Sequence, residues 1–128
     1  MDPSKLRYTT THEWAHLEGD VCTVGISQFA AEQLTDVTYF DPPHVGDHVF
    51  KGQECGTIET VKAVNSLYSP VDGEVIAVNE KLVEDPNGLT RDPYGEGWLI
   101  KVRVEKPTAL DHLLDAEQYR KQIESESH

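Results

Sequence analysis

The sequence predicts a mainly β chain with one short internal helix and a helical C-terminal end. Three observations carry this. Gly and Pro punctuate the first hundred residues at short intervals. Between the marks lie runs rich in Val, Ile, Thr and Tyr, residues that suit a pleated, half-buried surface. Residues 98–105 then alternate, placing Trp98, Ile100, Val102 and Val104 on one face, the pattern of a strand with one buried side.

In chain order, Glu18-Gly19-Asp20, Gly46-Asp47 and Asp72-Gly73 are turn pairs, each followed by a Val-containing run, and predict three hairpin corners. Val45-Gly46-Asp47-His48-Val49 and Val71-Asp72-Gly73-Glu74-Val75 look like two versions of one corner 26 residues apart. This is a hint of an internal repeat, which turn chemistry alone could also produce. Ser27 is an N-cap for a short helix over residues 28–34, with Ile26, Ala30 and Leu34 at four-residue spacing toward a sheet. Residues 84–97 hold two Pro and three Gly and predict a long loop with no regular element. After Pro107, Thr108 can cap a helix carrying Leu110, Leu113 and Leu114. Asp115 with Gln118 three residues on marks a second helix start, and residues 124–128 are expected to fray.

A length of 128 residues predicts a single domain over 1–128, large enough to bury a core. With 38% hydrophobic and 27% charged residues the chain reads as soluble and globular. A net charge of −12 argues against nucleic acid, which needs Lys and Arg to displace counterions. The same charge is repelled by an anionic membrane, and no apolar run approaches the roughly 20 residues of a span. An acidic surface does suit docking onto basic faces of other proteins. Cys22 and Cys55 lack the spacing of a zinc site and are expected as buried thiols, with a redox pair as the alternative. The first residues have neither signal- nor transit-peptide character, so a cytoplasmic location is expected, or the mitochondrial matrix if a presequence has been removed.

The informative stretch runs from Gly56 to Pro70. Two β-compatible runs flank Val61-Lys62-Ala63, a centre with no Gly, Asn or Pro to explain a turn. A reversal there stands the Lys62 amine at a hairpin tip, where a modifying enzyme can reach it and a long prosthetic arm can swing. β-Branched Val61 and small Ala63 leave that approach open. From the residues alone, a solvated surface lysine on an ordinary hairpin is the commoner reading, and pattern alone does not defeat it. An enzyme with Lys62 as a Schiff-base nucleophile and Glu13 or His12 as acid or base is a further alternative, but it needs a desolvated pocket, whereas a hairpin tip is wet. His12 with His16, and His44 with His48, are four apart, but neither segment reads as a helix, and no metal site is expected.

Glu59-Thr60-Val61-Lys62-Ala63, Leu67-Tyr68-Ser69-Pro70-Val71-Asp72-Gly73-Glu74-Val75 and Asp92-Pro93-Tyr94-Gly95-Glu96-Gly97-Trp98-Leu99-Ile100 resemble the H proteins of the glycine cleavage system. So do Thr11-His12-Glu13-Trp14, Gly19-Asp20-Val21 and Leu113-Leu114-Asp115-Ala116-Glu117-Gln118-Tyr119. The blocks stand in family order over about residues 6–119. The resemblance implies a lipoyl-domain fold, a flattened barrel or sandwich of two antiparallel sheets with added helices, and lipoate in amide linkage on Lys62. It implies a carrier and not an enzyme. A pyridoxal-phosphate glycine decarboxylase would load the arm with an aminomethyl group, a tetrahydrofolate-dependent aminomethyltransferase would take the one-carbon unit, and dihydrolipoyl dehydrogenase would reoxidise the dithiol.

Under the same resemblance, Glu59, Val61 and Ala63 are recognised by the lipoate ligase or lipoyltransferase, and His12 and Glu13 help line a surface cleft that shelters the loaded arm. A carboxylate is the sensible partner for an aminomethyl cation. An H-like lipoyl relay or storage protein would share the attachment motif. A biotin carrier would place Met on each side of the lysine, unlike Val61 and Ala63. Three departures stand out: Thr60 where Ser is common, Asp41-Pro42-Pro43 in place of an acidic-hydrophobic-Pro run, and a less acidic Asn87-Gly88-Leu89-Thr90-Arg91. The second removes a backbone donor and predicts shorter strand pairing there.

Overall fold

In the computed structural model, residues 2–106 and 108–126 are described. Their strands are β1 (Arg7–Tyr8), β2 (Glu13–Glu18), β3 (Val21–Ile26), β4 (Val37–Asp41), β5 (His48–Val49), β6 (Glu54–Thr60), β7 (Val64–Tyr68), β8 (Gly73–Val78) and β9 (Ile100–Arg103). They form a six-stranded sheet ordered β1-β2-β3-β9-β8-β5 and a three-stranded sheet ordered β4-β6-β7. All the pairings are antiparallel, so the expected two-sheet, mainly β architecture is what the chain adopts.

Of the three expected hairpin corners, the structure keeps one. Gly19, at φ +63°, turns β2 into β3, which pair from Glu13↔Ile26 to Glu18↔Val21. The Gly46 turn exists but closes no hairpin, and at the third corner the chain only bends, at residues 70–71, with Gly73 already the first residue of β8. The first leads into β5 and the second into β8, and these strands pair with each other, His48 opposite Glu74 and Val49 opposite Gly73. The Gly46 N–H donates to the Val75 carbonyl and the Val75 N–H to that of Asp47, both at 2.8 Å. The two look-alike segments thus lie antiparallel, side by side.

The internal helix α1 (Gln28–Gln33) starts where Ser27 accepts a hydrogen bond from the Ala30 N–H, as its cap position requires. Ala31 is its buried residue, while Ala30 and Leu34 pack half-buried against the core. The loop expectation for 84–97 is corrected. Helix α2 (Glu80–Glu84) reaches its first residue, and α3 (Gly88–Arg91) forms within it. Leu89 is fully buried in the core and gives this single turn its tertiary support. The regular part of the alternating strand is also shorter than expected: Leu99 and Ile100 are both buried, and Trp98 is half-exposed with the Lys101 ammonium over its ring at 5.0 Å. Thr108 caps no helix. Residues 108–112 form turns, and Leu114 instead bridges to Tyr8. Pro107 lies outside the described residues. Helix α4 (Ala116–Glu126) begins at the expected second start, where the Gln118 N–H donates to Asp115 Oδ1 and the Asp115 N–H to Gln118 Oε1. It continues through Glu126, past the expected fraying point; residues 127 and 128 are not described.

The main core fills the space between the sheets, with Val24, Phe40, Ile58, Leu67, Val75, Ile100 and Val102 among its members. A second cluster joins Leu6, Tyr8, Trp14 and Tyr119 and ties α4 to β1 and β2. Strand β4 pairs with β6 as far as Asp41↔Thr57, so pairing ends where Pro42-Pro43 begins.

Candidate functional site

Lys62 stands at the reversal between β6 and β7, with Val61, Ala63 and Val64 exposed around it. The turn needs no Gly or Asn because Thr60 holds it. The Thr60 N–H donates to the Ala63 carbonyl at 2.9 Å, and Thr60 Oγ1 accepts from the N–H groups of Lys62 and Ala63, both at 3.2 Å. Here a hydroxyl replaces turn-forming backbone chemistry. The two residues that flank the amine are therefore free to be chosen for access. Glu59 lies next to the tip on β6, between Tyr39 of β4 and Val64 of β7 in the register of the small sheet.

Glu13, on β2 of the large sheet, is only 2% exposed. Its Oε1 accepts from the Thr9 hydroxyl at 2.6 Å and from the Thr11 hydroxyl, and its Oε2 accepts from the Tyr68 N–H at 3.3 Å. Burial pushes its carboxyl above the ordinary glutamate value, and these three donors pull back toward the charged form. Beside it, a cavity of about 360 Å³ is lined by Thr9, Thr11, Tyr68, Ser69, Lys51 and His112, among others.

His12 and Glu13 have different surroundings. His12, at φ +76°, bonds through Nδ1 to the Tyr119 hydroxyl at 2.7 Å and faces Glu126 through Nε2 at 3.2 Å, so it braces α4. The Tyr119 hydroxyl also bonds Ser27 Oγ at 2.6 Å. The structure groups Lys62, Val61 and Ala63 with Glu59 at one end of the small sheet. Glu13 sits by the other end of β7, four residues past Val64, about 13 Å along the strand.

Sequence reasoning missed Thr60, Thr9 and Thr11 as working residues. A Thr whose hydroxyl can reach backbone N–H groups two and three residues on is a readable turn signal. The pairing of Thr9 and Thr11 with a buried Glu13 is tertiary and left no such mark. Cys22 is buried but Cys55 only half-buried; both are free, and burial pushes each thiol up to about 12, so neither is a thiolate at neutral pH. Among the described residues, no three His, Cys, Asp or Glu side chains gather as a metal site, and no helix is long and apolar enough to cross a membrane.

The model of the family described as "Glycine cleavage H-protein" matches residues 6–126. The chain belongs to that family. A glycine cleavage system H protein of Rubrobacter xylanophilus is 52% identical over 125 residues, 97% of this chain and 96% of that one. One from Trichormus variabilis is 47% identical over 124 residues, covering 97% and 95%. The crystal structure of a glycine cleavage system H protein from Mycobacterium marinum superimposes with a TM-score of 0.86 at 38% identity, covering 96% of this chain and 99% of that one. The family is that of the lipoyl-carrying shuttle of glycine cleavage, a carrier without catalysis of its own. A Schiff-base enzyme is thereby set aside, in keeping with a lysine that stands in solvent and not in a pocket.

Proposed function

We propose that Lys62 carries lipoate in amide linkage and that the loaded chain shuttles between three enzymes. These are a pyridoxal-phosphate glycine decarboxylase, a tetrahydrofolate-dependent aminomethyltransferase and dihydrolipoyl dehydrogenase, with a lipoate ligase or lipoyltransferase installing the arm. The observation that carries this reading is the position of Lys62 itself: an exposed lysine on a reversal whose shape is enforced by Thr60, in a chain of the family that carries lipoate. A tip open on all sides fits a long acyl group, because nothing in the turn has to move to admit it.

When bound, lipoate supplies the chemistry, a disulfide that accepts the aminomethyl group with two electrons and is later restored by oxidation. The chain's own residues hold and present it. Thr60 orders the tip, Val61 and Ala63 keep the amine accessible, and Glu59 gives the attaching enzyme a charge to read. The cavity beside Glu13 shelters the far end of the arm, and the Glu13 carboxyl, whose charged form the Thr9 and Thr11 hydroxyls and the Tyr68 N–H favour against its burial, is the counter-charge for an aminomethyl cation. His12 serves this site only from behind, by fixing α4. We place the whole of residues 1–128 in one carrier domain working in the cytoplasm; the relatives named above are bacterial, which gives a mitochondrial matrix setting no support.

Intact mass with peptide mapping, before and after treatment with lipoate ligase, lipoate and ATP, tests the assignment. One lipoyl increment on the Lys62 peptide is expected, with glycine–bicarbonate exchange in the reconstituted system lost in Lys62→Ala. No increment on folded, unmodified protein would refute the attachment site. An increment without exchange activity would favour the lipoyl relay role.

A further inference from the structure

We propose that the unmodified chain binds a free medium-chain carboxylate, with the apolar chain of the acid in the cavity beside Glu13 and its carboxylate on the Lys51 ammonium. This goes beyond the shuttle reading and does not depend on attachment at Lys62.

Two cavities of opposite character meet at Lys51 and His112, the two residues that line both. The first, of about 360 Å³, has Tyr8, Tyr68, Pro70, Leu113 and Leu114 in its walls. The second, of about 560 Å³, is walled largely by charged side chains, with His48, Arg103 and Lys106 set among Asp72, Glu74 and Glu105. An amphiphile is the ligand whose own polarity changes where this lining changes.

Hydrogen bonding narrows the polar end to one group. In the first cavity the Tyr8 hydroxyl donates to the Pro3 carbonyl, the Ser69 hydroxyl to that of Val71, and the Thr9 and Thr11 hydroxyls to Glu13. His112 Nε2 donates to the Pro70 carbonyl at 2.7 Å and so fixes its ring at the junction. The Lys51 ammonium has no partner among the described residues. Its backbone is nevertheless held on both sides, by the Lys51 N–H on Asp72 Oδ1 and the Gly52 N–H on the Ser69 carbonyl, each at 2.8 Å. The residue is anchored while its charge is left over, in a chain whose net charge is −12.

Charge selects the head group. A phosphate or other polyanion over Lys51 would also meet Asp72, Glu74 and Glu105 across the junction, and a cationic head would meet Lys51 itself. A single carboxylate needs only the one ammonium. The apolar cavity selects the tail, because each methylene that enters it adds up to about fourfold in affinity. In the lipoylated chain the arm and the free acid would compete for this space.

The test titrates the unlipoylated full-length chain with octanoate, free lipoate and acetate, read by amide chemical shifts. Octanoate and lipoate are expected to bind with Kd on the order of 1 mM, with shifts centred on residues 8–11, 51–52, 68–70 and 112–114. Acetate should bind more than about tenfold more weakly. Lys51→Gln should weaken octanoate about fivefold and Lys51→Arg should restore it, while Lys106→Gln, at a residue of the second cavity alone, should leave the affinity unchanged. Octanol, which has no charge, should not respond to Lys51→Gln. Tighter binding of lipoate than of octanoate would support the proposal with the prosthetic acid as the source, and the reverse would support it with fatty acids. Equal affinity for acetate and octanoate, octanoate binding unchanged in Lys51→Gln, or shifts centred elsewhere would overturn it. A chain that binds octanoate as expected but takes no lipoyl increment on Lys62 would sink the attachment site and leave this one standing.

Discussion

Replacing Thr60 by Val isolates what the tip turn contributes to modification. Val preserves the β-branched shape and removes Oγ1, which accepts from the Lys62 and Ala63 N–H groups and sits 3.4 Å from the Ala63 carbonyl. These groups are exposed, so water replaces the lost partners, and each bond is worth about 0.5–1 kcal/mol net. Losing both acceptor contacts therefore costs about 1–2 kcal/mol, a factor of about 5–30 in the ratio of closed to open tip. The Thr60 N–H to Ala63 carbonyl bond and the β6–β7 ladder remain, so the loss is local. Amide exchange at Lys62 and Ala63 should accelerate by that factor, lipoylation should slow by up to tenfold, and Tm should fall by only a few degrees. Thr60→Ser, which keeps the hydroxyl, should behave as the parent. A Thr60→Val chain lipoylated at the parental rate with unchanged exchange at residues 62–63 would refute the idea that this hydroxyl shapes the substrate lysine.

Three further outcomes follow from the geometry. A Cβ at Gly25 lands on the fully buried Trp14 ring, whose Nε1 donates to the Pro93 carbonyl at 2.9 Å, so Gly25→Ala should cost about 2–5 kcal/mol in urea unfolding; a loss under 1 kcal/mol would mean the ring has room to move. His12→Ala removes the bond to Tyr119 and the Glu126 contact and should cost about 1–3 kcal/mol, with hydrogen exchange accelerating chiefly in Ala116–Glu126; uniform acceleration would argue against a local brace. Because burial raises the folded carboxyl of Glu13, the folded state takes up a proton at higher pH than the unfolded state, and ionised Glu13 lowers stability above the raised value. The Tm of Glu13→Gln minus that of the parent should thus be largest at neutral pH and shrink as pH falls toward the ordinary glutamate value of 4.5; a pH-independent difference would contradict the raised carboxyl.

What the sequence disclosed and what it hid divide along local and non-local lines. The Ser27 cap and the Asp115–Gln118 box are complete within four residues, and both formed as read. The Lys62 reversal was legible because two β-compatible runs needed one. Gly46-Asp47 and Asp72-Gly73 announced turns, but a turn pair does not name the strand that follows it as a partner of the one before; β5 and β8 found each other instead. Leu110, Leu113 and Leu114 fit a helical face and equally fit a turn with Leu113 buried and Leu114 paired to Tyr8. In residues 84–97, Pro86 and Gly88 read as breakers, yet both stand at the start of α3, where the first N–H groups have no helical partner to lose.

Glu13 shows why the second half of the site could not be read from its motif. Its neighbours in sequence, His12 and Trp14, point to a polar residue beside a core aromatic. Only the fold shows that its two oxygens have separate tasks. Oε1 gathers hydroxyls from the β1–β2 connection of the large sheet, and Oε2 takes the Tyr68 N–H at the end of β7 in the small one. The carboxyl group is thus a clamp between the sheets. The strand it clamps is the one that leaves the Lys62 turn, so tip and cavity lie at the two ends of a single extended segment. On the proposed attachment to Lys62, the arm itself would span that distance, with no hinge required of the strand between.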